Sequence, residues 1–311
     1  MSDRVVICEC FARDGLQHEP AVVSTADKIA LIDAFTAAGF PRIEATSYSH
    51  PVKVPAFGDA GPVLAGITRR PGVWYKATTP NRTGVERAVA DLAAGHGANE
   101  VSLLASATES HTERNLGTSR EGQWRRIEEM IAVAGDRFRL VGVISVALGC
   151  PFEGEVPPER VVEDVLRFVG QGVKIVTIGD TTGLGTPAKV RRLFRMLAEA
   201  APDVAAVAHF HDTRGIGIAN CMAAYEAGCR HFDSSFGGVG GHPTNIRYGS
   251  GRAGNVATED LVNLFEMEGI STGLDFDRVM AASRLCESVL GRPLDSKVAR
   301  AGFAAARYEN A

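Results

Sequence analysis

Residues 174–212 read KIVTIGDTTGLGTPAKVRRLFRMLAEAAPDVAAVAHFHD, and two periodicities divide them. Lys174–Gly179 is a short β-rich run that ends in the polar stretch Asp180-Thr181-Thr182-Gly183. Behind the start signal Thr186-Pro187, the segment Pro187–Ala200 places apolar residues three and four apart, and Ala205–His211 returns to a short apolar run. A strand, a helix and a second strand in that order form one unit of a parallel sheet.

The same unit recurs outward in both directions. Further strands are expected at Val5–Cys10, Arg42–Ser47, Val73–Thr78, Glu100–Ala105, Leu140–Val146 and His231–Phe236, eight in all. Helices are expected at Ala26–Ala38, Thr83–Ala94, Gln123–Ala134, Glu159–Val169, Ile216–Ala227 and Thr258–Glu268. Ser24, Pro158 and Thr258 serve as start signals, and Gly39, Gly95, Gly228 and Gly269 as stops. Eight β-then-α units fit a closed (β/α)8 TIM barrel of the α/β class. An open doubly wound sheet is the competitor, and eight countable strands weigh against it. No linker or low-complexity break appears, so residues 1–311 are expected to form a single catalytic domain. Residues 274–311 would be a C-terminal helical extension, with helices at Phe276–Leu290 and near Ser296–Ala305.

Composition narrows the function classes. The 311 residues are 45% hydrophobic and 23% charged, which suits a globular chain and excludes disorder, collagen and coiled coil. The 33 basic residues against 37 acidic give −4, which argues against a nucleic-acid partner, and the doublets Arg69-Arg70, Arg125-Arg126 and Arg191-Arg192 read as exposed helix ends and faces. No apolar run approaches the ~20 residues of a membrane span. The start has no secretory pattern, and the six cysteines include no CxxC pair, so reduced thiols and a cytoplasmic location are expected.

A barrel carries its chemistry at the C-terminal ends of its strands. Polar and titratable residues should therefore gather late in each strand, with apolar ones at the strand starts. Arg13-Asp14, Glu44, Thr108-Glu109, Asp180-Thr181, His209, His211-Asp212 and Ser234-Ser235 all fall late. In Ala208-His209-Phe210-His211-Asp212, side chains two apart share a face, so both imidazoles can meet one ion, or simply bond to each other's neighbours in the core. A carboxylate from another strand end, such as Asp14, would complete a site for a hard divalent cation. Arg13 beside it is either a loop-bracing ion pair or a fixed cation for an oxyanion, and Glu44 is placed to bridge to Arg13. The glycine stretches 237–241 and 249–254 read as a lid, with Asn255 where it meets the next helix.

These segments, in this order, resemble the 3-hydroxy-3-methylglutaryl-CoA lyases, members of a metal-dependent lyase and synthase superfamily of TIM barrels. The likeness runs from about Val5 to Ala299. It is carried by Arg13-Asp14-Gly15-Leu16-Gln17, Ile43-Glu44-Ala45-Thr46-Ser47, Ala147-Leu148-Gly149-Cys150-Pro151, Gly179-Asp180-Thr181, His209-Phe210-His211-Asp212 and Asn255-Val256-Ala257-Thr258-Glu259-Asp260. The resemblance implies a divalent cation, Mg2+ or Mn2+, held by Asp14, His209, His211 and Asn255, and an acyl-CoA substrate cleaved in a retro-Claisen reaction to acetyl-CoA and a keto acid. It implies catalytic roles for Arg13, Asp14, Glu44 and His209, substrate contacts at Gln17, Ser47, Thr108 and Thr177, and a homo-oligomer, a dimer or larger.

The chain departs from the family pattern at two places. The family's glycine loop ends in Gly-Gly-Cys-Pro-Tyr with a catalytic cysteine, whereas this chain reads Gly240-Gly241-His242-Pro243-Thr244. Either His242 supplies the acid or the loop serves a different substrate, and an imidazole with pKa near ~6.5 can protonate an enolate at neutral pH. Val143 stands where the family often has an aromatic residue, which points to a roomier acyl pocket. Three functions follow: a lyase for 3-hydroxy-3-methylglutaryl-CoA or a relative such as citramalyl-CoA, a synthase joining acetyl-CoA to a 2-oxo acid, or a metal-holding CoA-binding protein without turnover. No basic cluster marks a CoA site.

Overall fold

Eight strands alternate with helices until the sheet closes on itself. The computed structural model describes residues 3–241 and 254–304. The strands are β1 (Val6–Glu9), β2 (Arg42–Ser47), β3 (Trp74–Thr79), β4 (Glu100–Ser106), β5 (Arg139–Ser145), β6 (Ile175–Asp180), β7 (Ala205–Phe210) and β8 (His231–Ser234). Each pairs in parallel with the next, and β8 returns to β1, giving the TIM barrel. The helices are α1 (Thr25–Ala38), α2 (Ala60–Gly66), α3 (Arg82–Ala93), α4 (Glu109–Leu116), α5 (Arg120–Ala134), α6 (Pro158–Gly170), α7 (Pro187–Ala200), α8 (Gly217–Glu226), α9 (Thr258–Met267), α10 (Phe276–Leu290) and α11 (Lys297–Ala301).

The helix punctuation follows the residues. Ser24 and Thr186 accept hydrogen bonds from the amides of Asp27 and Lys189, and Gly39 ends α1 in the left-handed region at φ +98°. Thr258 departs from its expected cap role: Ala257 occupies the cap, and the Thr258 hydroxyl donates to Glu9 Oε2 at 2.6 Å. Helices α2 and α4 were not legible in the periodicity. The sequence of α4, ESHTERNL, buries only the polar His111 and Thr112, so no apolar stripe announces it. After β8, α10 packs on α1, and Ser296 caps α11. No described helix is long and apolar enough to cross a membrane.

Large apolar residues such as Phe35, Trp124, Phe168 and Phe210 are buried in the core. The strands also bury charge, which corrects the expectation of apolar strand starts. Arg42 and Glu100 open β2 and β4, Lys76 lies early in β3, and each is at most 2% exposed. Arg42 Nη2 meets Glu100 Oε1 at 2.7 Å, and Arg139 holds the other Glu100 oxygen. Above them Lys76 Nζ lies 3.6 Å from Glu44 and 3.8 Å from Asp233, whose second oxygen is 3.9 Å from Arg42. Three cations thus face three carboxylates, the arrangement that makes buried charge tolerable. All six cysteines are buried and unbridged. Cys8 and Cys10 lie side by side, Sγ to Sγ 3.9 Å.

Candidate active site

Beyond β1 the chain tightens into a π-helical turn, Phe11–Gly15, in which the amides of Arg13, Asp14 and Gly15 all reach Cys10 O. This turn carries Arg13 and Asp14 over the strand ends. Asp14 and the two β7-end imidazoles, His209 and His211, bring one ligand atom each within 4.8 Å of one another, a group that can hold a metal ion. The Asp14 carboxylate receives Arg13 Nη1 on Oδ1 at 2.9 Å and Asn255 Nδ2 on Oδ2 at 2.7 Å. Burial would raise its pKa, but Arg13, His209 and His211 prevail and hold it at about 2.

A second rank of side chains orients these groups. His209 Nδ1 lies 3.3 Å from Asp233 Oδ2, which leaves Nε2 as the ring's free ligand position. Asp233 is buried, yet Lys76 and His209 hold it well below the usual carboxylate range. Glu44 sits at a β-bulge in β2, where the register against β3 shifts between Glu44 and Thr46. It lies 3.7 Å from Arg13 Nε, the expected bridge, and accepts the Thr78 hydroxyl at 2.7 Å. Gly240 makes the close approach possible: a Cβ there would lie 2.3 Å from Asn255 Nδ2. Two imidazoles and an anionic carboxylate, with one ring fixed by a carboxylate behind it, fit a divalent cation.

Beside this group opens a cavity of about 540 Å3, bordered by Arg13, Asp14, Glu44, Lys76, His209 and His211. Of the residues expected to meet substrate, Gln17 and Thr177 border it. Ser47 and Thr108 do not: the Ser47 hydroxyl is bonded to Ser49 Oγ and Thr78 O, and Thr108 donates to Cys150 Sγ. Asn255 reaches Asp14 through its amide nitrogen, which also donates to Val239 O. His242 lies outside the described residues; the preceding Gly241 borders the cavity. Asp212, in the same motif as His211, has a structural duty, accepting the Gly217 amide at 2.6 Å to start α8.

Sequence reasoning missed several residues. Lys53 is remote in the chain from Arg114 and Arg126, yet all three border the cavity as exposed cations, and Arg114 lies over the Phe152 ring at 4.3 Å. No local signal could find them, because only folding brings them together. Glu9 was also missed. Its Oε1 accepts the amides of Phe11 and Phe236, at 2.9 and 3.1 Å, while Oε2 takes the Thr258 hydroxyl. One buried carboxyl thereby joins the Asp14 turn, the glycine stretch after β8 and the start of α9.

The arrangement is a group that can hold a divalent cation beside a charged cavity, and similarity to known proteins gives the chain its family. A family model described as HMGL-like matches residues 4–286. The chain is 40% identical over 299 residues to human mitochondrial hydroxymethylglutaryl-CoA lyase, covering 96% of this chain and 89% of that protein. It is 37% identical over 304 residues to the cytoplasmic 3-hydroxy-3-methylglutaryl-CoA lyase of mouse, covering 97% and 86%. An HMG-CoA lyase structure from Acinetobacter baumannii, in complex with coenzyme A and 3-methylmalate, superposes with a TM-score of 0.90 at 37% identity, covering 98% of this chain and 97% of that one.

Proposed function

Because the chain belongs to the HMGL-like family, we propose that it is a divalent-metal-dependent carbon–carbon lyase. It cleaves 3-hydroxy-3-methylglutaryl-CoA, or a close 3-hydroxy-3-carboxyalkyl-CoA, to acetyl-CoA and a keto acid. The observation that carries this reading is the Asp14, His209 and His211 group at one wall of a cavity that also holds Arg13 and Glu44. Asp14, His209 and His211 would hold Mg2+ or Mn2+, with Asn255, which touches Asp14, as the fourth ligand. The cation, when bound, lowers the pKa of a tertiary hydroxyl.

The remaining work falls to the chain's own residues. The hydroxyl proton leaves to Asp14 or His209, and the C2–C3 bond breaks to give the ketone and the enolate of acetyl-CoA. Arg13, held by Glu44, meets the negative thioester oxygen, and His242 returns a proton to the terminal carbon. Gln17 and Thr177 contact the acyl part. Lys53, Arg114 and Arg126 favour the phosphates of CoA at the mouth. Relatives are named both mitochondrial and cytoplasmic; six free buried thiols support a reducing compartment, and the cytoplasm is proposed. The enzyme is proposed to act as a homo-oligomer.

The test is acetyl-CoA release by chelator-stripped protein, with and without Mn2+ or Mg2+, from 3-hydroxy-3-methylglutaryl-CoA and citramalyl-CoA in parallel. Metal-dependent release from the first establishes the parent reaction with a histidine in the loop. Release from the second alone keeps the mechanism and moves the substrate. Silence on both overturns the lyase reading.

A further inference from the structure

A further wall of the cavity is made by β4, β5 and β6. Leu104, Val143 and Thr177 are consecutive partners across these strands, and His111 of α4 borders the cavity beside them. Two atoms on this wall are buried with no hydrogen-bond partner among the described residues: His111 Nε2 and Thr177 Oγ1. The other ring nitrogen of His111 is 2.8 Å from Ser106 Oγ, so Nε2 is the edge left over. Burial holds the imidazole pKa down at about 4, so the ring is neutral at pH 7, and Nε2 offers one hydrogen bond, as donor or acceptor according to which way the Ser106 hydroxyl points. Protein interiors rarely leave such groups unpaired unless something else supplies the partner. Val143, the register partner of Thr177, also borders the cavity, and its small side chain leaves room for that partner.

We propose that His111 and Thr177 form a hydrogen-bonding acyl subsite that selects acyl-CoA substrates presenting an oxygen function to the β4–β6 wall. This rests on the acyl-CoA lyase reading and sharpens it: the roomier pocket implied by Val143 is not an extra space for hydrocarbon but a polar one. Acyl oxygens facing this wall would pair these groups, whereas an aliphatic branch in the same place would leave them unpaired.

The test uses His111→Phe and Thr177→Val, singly and together, in Mn2+-loaded protein, with 3-hydroxy-3-methylglutaryl-CoA and citramalyl-CoA as probes. Binding is measured by calorimetry and cleavage by steady-state kinetics. For at least one thioester, each substitution should raise KM and Kd about tenfold, the worth of one buried hydrogen bond, with a smaller change in kcat. His111→Gln, whose amide keeps a hydrogen-bonding group, should recover part of the loss. Thermal melting controls the fold, and both apolar variants should melt at or above the parent temperature because an unpaired polar atom is gone. Unchanged KM and Kd on both thioesters, with the parent active, overturns the subsite and leaves the lyase standing. Binding without cleavage by the parent overturns the lyase, and the variants' Kd values still decide the subsite. If the parent neither binds nor cleaves either thioester, both fall.

Discussion

At the scale of single residues, Asp233 does the most with the least sequence signal. It is buried, yet it fixes the ring of His209 and balances Lys76 and Arg42. A carboxylate behind a ligating imidazole sets its tautomer and basicity, and its loss costs roughly 10–100-fold in metal affinity. Asp233→Asn is therefore expected to weaken Mn2+ binding by about that factor, measured by titration followed by electron paramagnetic resonance, with kcat/KM at saturating metal falling far less. Retained Mn2+ affinity would remove Asp233 from the site's support. The HxHD motif and Arg13-Asp14 were legible because spacing on a strand and position at a strand end dictate where such side chains go. Asp233 lies on a different strand from its partner, 24 residues away, and nothing local marks the pairing.

At the scale of elements, Glu9 ties together three segments that must keep register. The end of β1 holds the first amide of the Asp14 turn, the amide of Phe236 after β8, and the Thr258 side chain at the start of α9. Burial raises the Glu9 pKa from 4.5 to about 8, even though its hydrogen bonds pull the other way. In the window from 4.5 to about 8 the folded chain keeps a proton that the unfolded chain has released. Stability from this group is full below that window and is lost as pH rises through it, by at most about 1.4 kcal/mol per pH unit. Glu9→Gln mimics the protonated acid, so its advantage over the parent in urea unfolding should grow between pH 5.5 and 7.5. An equal pH slope in both proteins would refute the buried protonated form. The strands and most helices were legible from periodicity, while α2 and α4 were not. A short helix whose inward face is a histidine and a threonine has no apolar pattern to read.

At the scale of the whole molecule, a chain of charge runs through the strands, from Arg139 and Glu100 through Arg42, Asp233 and Lys76 to Glu44, Arg13 and Asp14. Breaking a buried pair strands its partner, at a cost of about 3–5 kcal/mol. Arg42→Met should lower unfolding free energy in urea by about that much, while Mn2+ affinity changes little because Lys76 still balances Asp233. A change within 0.5 kcal/mol would mean that Glu100 and Asp233 are satisfied without Arg42. By itself the sequence determined the barrel, because alternating periods of two and 3.6 over eight units admit little else, and it placed Asp14, His209, His211 and Arg13 at strand ends, where barrels do chemistry. Only the tertiary structure decided which residues share the cavity. It admitted Gln17 and Thr177, left Ser47 and Thr108 outside, gathered Lys53, Arg114 and Arg126 at its edge, and brought His111 to its lining. The physical reason is one of range: a strand's alternation sets local direction, but what lies opposite is set by closure of the sheet, through partners tens to hundreds of residues away.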